Sequence, residues 1–381
     1  MFVVENKKNT QKNCIGKMKI GILTFHCAHN YGAMLQCYAL QEHLVSMGHT
    51  VKVINYQPTY LLKPYNVFDK DRILSENVFK MIKNILKELL LLPKRIRRYR
   101  AFNHFLLKRI HMSGLCDKHT ITEDFDAYIF GSDQIWNPRI TNGVDGMYFG
   151  CFQFPKGQKR YISYAASLGL DTIDPLLGES LKENLKNIDY ISVREEEMVK
   201  LLMPYTNKPI KVVLDPTLLV SKVVWNKLSD NVKRRNYVLV YQVREDPDTI
   251  EFAKHIARQL NADIVKLVAW VKRKKGKVED ASASPEDFVS YIKHASCVVT
   301  TSFHGTAFSV IFNKPFYCLK LGDGCDNRAN SLLGALSLDN RMFGKNERPT
   351  FSPIDYSLSN EKLEQMRNES NSFLSLSLKN M

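Results

Sequence analysis

The sequence predicts an α/β protein of two domains, each built on a parallel sheet. Three observations carry that expectation. Short apolar, β-branched runs alternate with segments of helical spacing, the pattern of strands covered on both faces by crossover helices. A chain of 381 residues has room for two cores. The alternation is interrupted by a polar, charged stretch over 220–235 and then starts again.

Residues 1–17 are polar, lack the apolar core of a secretory signal and are expected to be a disordered lead-in. Residues 18–25, MKIGILTF, read as the first buried strand. The loop HCAHNYG follows at its carboxyl end, where open α/β sheets bind ligands. Asn30 offers a donor and an acceptor, and Gly32 lets backbone approach a ligand, so Asn30, Tyr31 and Gly32 are candidate binding residues. His26 and His29 read as solvated. The loop is not GxGxxG, and no dinucleotide fingerprint is read from it. Ala33, Cys37, Leu40, Leu44 and Met47 mark one face of a helix, Gly48 ends it, and 51–56 is the next strand.

Residues 71–111 form an insert that mixes Leu, Ile and Phe with dense Lys and Arg, and Pro93 is expected to divide it into two helices. Lys94, Arg95, Arg97, Arg98, Arg100, Lys108 and Arg109 are separated by Ile96, Phe102, Phe105 and Leu106. Such an insert either lies on an anionic membrane along 79–110 or is a solvated basic face packed on its domain.

Strand 126–130 ends in GSDQIWNP, which puts Ser132, Asp133 and Asn137 at a ligand-binding edge. Asp133 can orient or deprotonate a hydroxyl; alternatively it is a cap or turn carboxylate. Strands follow at 161–167 and 189–193, the second delivering Arg194 ahead of an acidic run. Arg194 can clamp a phosphate or carboxylate, or pair with a neighbouring glutamate. Strand 211–214 closes on Asp215-Pro216-Thr217.

The second series runs strand 237–243, helix 247–260, strand 262–268 and a basic loop 272–283 that is expected to be mobile. Ser284-Pro285-Glu286-Asp287 starts a capped helix that reaches 295. Strand 297–301 then breaks at His304-Gly305, and a short apolar helix is expected after the glycine, stopped by Lys314-Pro315. His304 therefore falls at a strand's carboxyl end, just before a helix N-terminus whose free amides attract anions. It can donate to that anion or move a proton; the alternative is a buried turn histidine. Ser302, Gly305 and Thr306 stand beside it as binding candidates. Strand 316–319, helix 327–336 bearing Arg328 and a polar terminal helix 355–378 complete the chain.

The net charge of +15 suits phosphorylated small molecules, a membrane surface or nucleic acid, and the last lacks any recognition motif here. Eight cysteines without a CxxC pair read as reduced thiols, which places the chain in the cytoplasm and gives no zinc site. No apolar run approaches the ~20 residues that span a bilayer.

The pieces KIGILTFHCAHNYGAMLQCYAL, FGSDQIWNP, ISVREEEMV, VLDPTLL and TSFHGTAFSVIFNKPF occur in this order over roughly 18–320. Together they resemble the polysaccharide pyruvyl transferase family. The resemblance implies a GT-B-like architecture: an acceptor-side Rossmann-type domain over 18–225, a donor-side one over 226–345 and a tail over 346–381. It implies transfer of pyruvate from phosphoenolpyruvate to a sugar as a ketal, with no cofactor and no metal. It matches His304 to the histidine of the family's HG motif, and Arg194 to the arginine of its S-x-R-E piece. Catalytic roles fall to His304 and Asp133. Asn30, Asp133 and Asn137 would face the sugar. Many members carry arginine two positions before the histidine, where this chain has Ser302; Arg194, the helix N-terminus, Arg328 or Lys320 would compensate. The expected acceptor is an undecaprenyl-linked oligosaccharide at the inner face of a bacterial membrane. The rival readings are a nucleotide-sugar glycosyltransferase of the same architecture and a degenerate homologue that only binds glycan.

Overall fold

The computed structural model describes residues 16–379 apart from 75–76, 118, 122, 154, 230–235, 243, 269–278, 281 and 323–325. Most of the lead-in 1–17 and of the loop 272–283 lies outside the described residues.

The first sheet holds β1 (Lys19–Leu23), β2 (Thr50–Tyr56), β3 (Met112–Cys116), β4 (Ala127–Phe130), β5 (Arg160–Ala166), β6 (Tyr190–Val193) and β7 (Ile210–Val212). Their order is β3-β2-β1-β4-β5-β6-β7, and every pairing is parallel. The second sheet holds β8 (Tyr237–Gln242), β9 (Asp263–Val268), β10 (Glu279–Asp280), β11 (Cys297–Thr300), β12 (Phe316–Leu319) and β13 (Met342–Phe343). Its order, β10-β9-β8-β11-β12-β13, is again all parallel. Both sheets reverse direction beside their first strand, as doubly wound Rossmann-type sheets do. The switch points fall between β1 and β4 and between β8 and β11. Two such domains facing across a cleft make a GT-B-like molecule. The carboxyl ends of both sheets meet at that cleft.

The helix Tyr31–Ser46 starts at a cap built by Asn30, whose side-chain oxygen accepts from the amides of Gly32 (2.9 Å) and Ala33 (3.3 Å). It is buried nearly all round, not on one face as its spacing suggested, because the second domain covers its outer side. Tyr31 stacks on Phe288 at 4.8 Å, and Tyr38 meets Trp225, which in turn meets Phe308 at 4.8 Å. One apolar core thus runs from the first domain into the second. The terminal helix Ser357–Ser377 closes the join: Ser370 Oγ accepts from the Leu214 amide at 2.9 Å, and the Ser377 carbonyl accepts from Arg160 at 3.1 Å.

The insert departs from expectation. Val78–Arg109 is a single helix of 32 residues that continues through Pro93. Proline removes one helical hydrogen bond at a cost of about 3 kcal/mol. Glu88 and Arg95 form a forked ion pair that straddles Pro93, and Leu91, Phe102, Phe105 and Leu106 anchor the helix on the core. No helix among the described residues is long and apolar enough to cross a membrane.

Candidate active site

Parallel strands deliver the segments that follow them to one edge, and those after β1, β4, β6, β7, β11 and β12 build the site. Asp215, after β7, caps the short helix Pro216–Leu219: its Oδ1 accepts from the Thr217 amide (2.9 Å) and hydroxyl (2.6 Å). Its Oδ2 accepts from Arg194 Nη1 at 2.9 Å and Ser132 Oγ at 3.2 Å. The same oxygen lies 3.7 Å from Nε2 of His304, too long for a hydrogen bond but within ion-pair reach. Burial pushes the Asp215 carboxyl up, but His304, Arg194 and the Thr217 bonds outweigh it and hold it well below the usual carboxylate range. The site therefore contains a fixed, buried anion facing an imidazole.

His304 is the second residue of the helix Phe303–Ile311, which begins before Gly305 and not after it. Ser302 is the cap, accepting weakly from the Gly305 amide at 3.4 Å. The imidazole lies against Gly32: a Cβ there would fall 2.0 Å from His304 Nδ1. Gly32 thus makes room for the His304 ring, where the sequence suggested room for a ligand. Gly305 answers a different need, since a Cβ on it would meet Thr300 Oγ1 at 2.2 Å.

The cleft holds about 220 Å³ and is lined by His29, Asn30, Tyr31, Arg98, Asp133, Ser302, His304 and Arg328, among others. Asn30, Asp133, Ser302, His304 and Arg328 are brought together there. Nε of Arg328 is buried and unpartnered, and no carboxylate among the described residues pairs with its guanidinium. Tyr31 reaches the cleft wall but spends its hydroxyl between domains, donating to the Ala283 carbonyl at 3.2 Å and accepting from Arg98 at 3.0 Å.

Four candidates stand elsewhere. Arg194 is buried behind the cleft wall, where Glu195 (3.1 Å) and Asp215 (2.9 Å) engage it and Asp133 lies 4.0 Å away. Its guanidinium sits 4.9 Å over the Phe303 ring. Burial works against its charge, but Glu195, Asp215 and Asp133 more than restore it. Arg194 is a structural cation that holds Asp215, not an open clamp. Ser132 is buried and bonded to Asp215 and the Ala165 carbonyl. Asn137 caps the helix Pro138–Thr141, and Thr306 is buried beside Cys318.

His26 and His29 are also buried, contrary to the expectation that they are solvated. His26 bridges the Thr24 carbonyl and Asn55. His29 packs on Phe102, and burial, then the nearby Arg98 charge, pushes its imidazole down to about 4.

Two residues carry weight that the sequence reading did not assign. Asp215 sits at a strand end before Pro-Thr, the same signature that singled out Asp133. Arg98 was grouped with the surface cations of the insert, yet it turns inward, donating to Tyr31 (3.0 Å), the Val268 carbonyl (3.2 Å) and the His29 carbonyl (3.2 Å). Its spacing from Leu91, Phe102 and Phe105 puts all four on one helical face, a signal that was present in the sequence.

Among solved structures, an alpha-glucosyltransferase in complex with UDP and a 13-mer DNA is 10% identical, with 94% of this chain and 95% of that one covered and a TM-score of 0.45. UDP-GlcNAc 2-epimerase of Methanocaldococcus jannaschii, in complex with UDP-GlcNAc and UDP, is 13% identical, with 93% and 100% covered and a TM-score of 0.44. Neither likeness is close enough to bear on function. No curated protein matches the chain. The family model for polysaccharide pyruvyl transferase matches residues 30–322, which takes in the cleft residues from Asn30 to His304 but not Arg328. The chain belongs to the polysaccharide pyruvyl transferase family.

Proposed function

We propose that the protein transfers pyruvate from phosphoenolpyruvate to a sugar of a lipid-linked polysaccharide precursor, forming a cyclic ketal. The observation that carries the donor assignment is the cleft itself. At about 220 Å³ it is smaller than the ~300–1,000 Å³ typical of drug-sized ligands. It suits a three-carbon phosphate better than a nucleotide sugar. Arg328, whose guanidinium has no carboxylate partner among the described residues, lines it together with Arg98 and His304.

His304 serves as the acid that protonates the methylene carbon of the donor, which leaves carbon 2 electrophilic. A first sugar hydroxyl attacks carbon 2 and gives up its proton to Asp133. The bond from carbon 2 to the phosphate oxygen breaks, and phosphate leaves. A second hydroxyl closes the ketal, its proton leaving with the phosphate. Arg328 binds the donor's phosphate or carboxylate, with the helix N-terminus at Phe303 adding partial positive charge. Asp215, fixed by Arg194, Ser132 and Thr217, orients the imidazole. Asn30 faces the acceptor.

The test is incubation with phosphoenolpyruvate and lipid-linked galactose- and mannose-type acceptors, following phosphate release and product mass. Phosphate release coupled to a product heavier by one ketal-linked pyruvate is expected. Sugar transfer from a nucleotide sugar, with no use of phosphoenolpyruvate, would overturn the reading. So would glycan binding without any turnover.

A further inference from the structure

The first half of the long helix carries an apolar row with a face of its own. Phe79, Ile82, Leu86, Leu89 and Leu90 recur at steps of three and four or as neighbours on that face, over about 16 Å of helix. They are 48% to 85% exposed. The opposite face packs inward through Leu91, Arg98, Phe102 and Phe105. Scattered exposed leucines are ordinary, but a continuous row marks an interaction surface.

Charge identifies the partner. Over 78–109 the chain has 10 Lys and Arg against a single acid, Glu88, and Arg95 and Arg72 engage that one. Lys83, Lys87 and Lys94 run along one flank of the row, and exposed Arg97 and Arg100 continue it beyond Pro93. Apolar side chains rimmed by cations, with no anion left over, complement a leaflet of anionic lipid. The leucines enter the acyl boundary and the cations meet headgroup phosphates. A second copy of the helix would set like charges against each other.

We propose that this helix seats the protein on an anionic bilayer surface through Phe79, Ile82, Leu86, Leu89 and Leu90. The seat differs from the one read in the sequence, which spread the contact over 79–110 and leaned on the basic run from Lys94 to Arg109. In that run Arg98, Phe102, Phe105 and Leu106 face the core. The helix also joins the seat to the site: Arg98, on the cleft wall, lies eight residues or about 12 Å along the axis from Leu90. A sugar carried on a membrane lipid is then presented at the cleft. This last link rests on the proposed reading of the reaction, whereas the membrane seat does not.

The experiment is flotation with vesicles of phosphatidylcholine alone or mixed with phosphatidylglycerol, without substrate, at low and raised salt. The full chain is expected to float with the mixed vesicles, to be released in part by salt, and to ignore phosphatidylcholine. Leu86→Asp/Leu90→Asp should weaken flotation at least 10-fold while keeping the parent Tm, since both positions are exposed. Lys83→Glu/Lys87→Glu should weaken it too. A parent chain that ignores the mixed vesicles overturns the proposal, as does a Leu86→Asp/Leu90→Asp variant that floats unchanged. So does a dimer in sedimentation that this variant dissolves while vesicles leave the parent unbound. A parent chain that binds phosphoenolpyruvate but does not float would count against the seat alone, and one that floats without binding phosphoenolpyruvate would count against the proposed reaction alone.

Discussion

Asp215 is the residue on which both the imidazole and the guanidinium lean. Its burial makes the Arg194 charge consequential for stability. Removing Arg194 leaves Asp215 and Glu195 buried without their shared counter-charge, a change that typically destabilises by about 3–5 kcal/mol. Arg194→Ala should therefore lower Tm strongly. Arg328→Ala should leave Tm near the parent value and raise KM for phosphoenolpyruvate, because Arg328 has no carboxylate partner among the described residues. The reverse pattern in thermal melts and steady-state kinetics would exchange the two roles. His304→Ala should cut turnover by about 10²–10⁴-fold with the fold intact, the usual contribution of a general acid; near-normal turnover would remove it from the mechanism. A pH profile reports on two other histidines. Burial, with Arg98 adding to it, pushes His29 down to about 4, and burial likewise pushes His43 down to about 4. Both lie below the ordinary value of ~6.5, so the unfolded chain takes up protons first as pH falls. Their contribution is complete above pH ~6.5 and is lost as pH drops towards about 4. Tm should fall across that window, and a flat Tm there would contradict the buried, neutral state of both rings.

At the scale of elements, the long helix shows how local signals and packing compete. Pro93 is exposed and interrupts the hydrogen-bond ladder without breaking the helix. Pro93→Ala should raise stability by up to about 3 kcal/mol, seen as a higher Tm; a lower Tm would mean that the ring itself is needed there. The strands that position the site were legible because parallel strands buried on both faces are continuous apolar runs. β1, β4, β11 and β12 all read this way, and their loops were correctly placed at one edge. β3 was not legible: Ser113 and Gly114 interrupt it, and Leu115 at the sheet's edge is exposed. Side-chain direction was the harder quantity. Residue type suggested that Arg194 and Asn137 meet a ligand, yet one pairs with carboxylates behind the wall and the other caps a helix. Asp215 drew no functional reading because its partners come from three separate parts of the chain, at Ser132, Arg194 and His304, whose convergence only the fold reveals.

At the scale of the molecule, two Rossmann-type sheets put their carboxyl edges across a shared cleft, and one continuous core holds them there. Tyr31 and Trp225 cross the join, and the terminal helix ties its back. His304 follows a strand of the second sheet, while Gly32, which makes room for its ring, and Asp215, which faces it, follow strands of the first. The site is therefore a property of the assembled pair. The proposed function requires that small cleft to accept phosphoenolpyruvate. The most direct measurement is thermal unfolding of the parent and of Arg328→Ala with phosphoenolpyruvate, against the same concentrations of a UDP-sugar. Binding at 100-fold the Kd stabilises by about 2.7 kcal/mol. The parent should gain Tm with phosphoenolpyruvate and not with the UDP-sugar, and Arg328→Ala should lose most of that gain. A gain with the UDP-sugar alone would contradict the account.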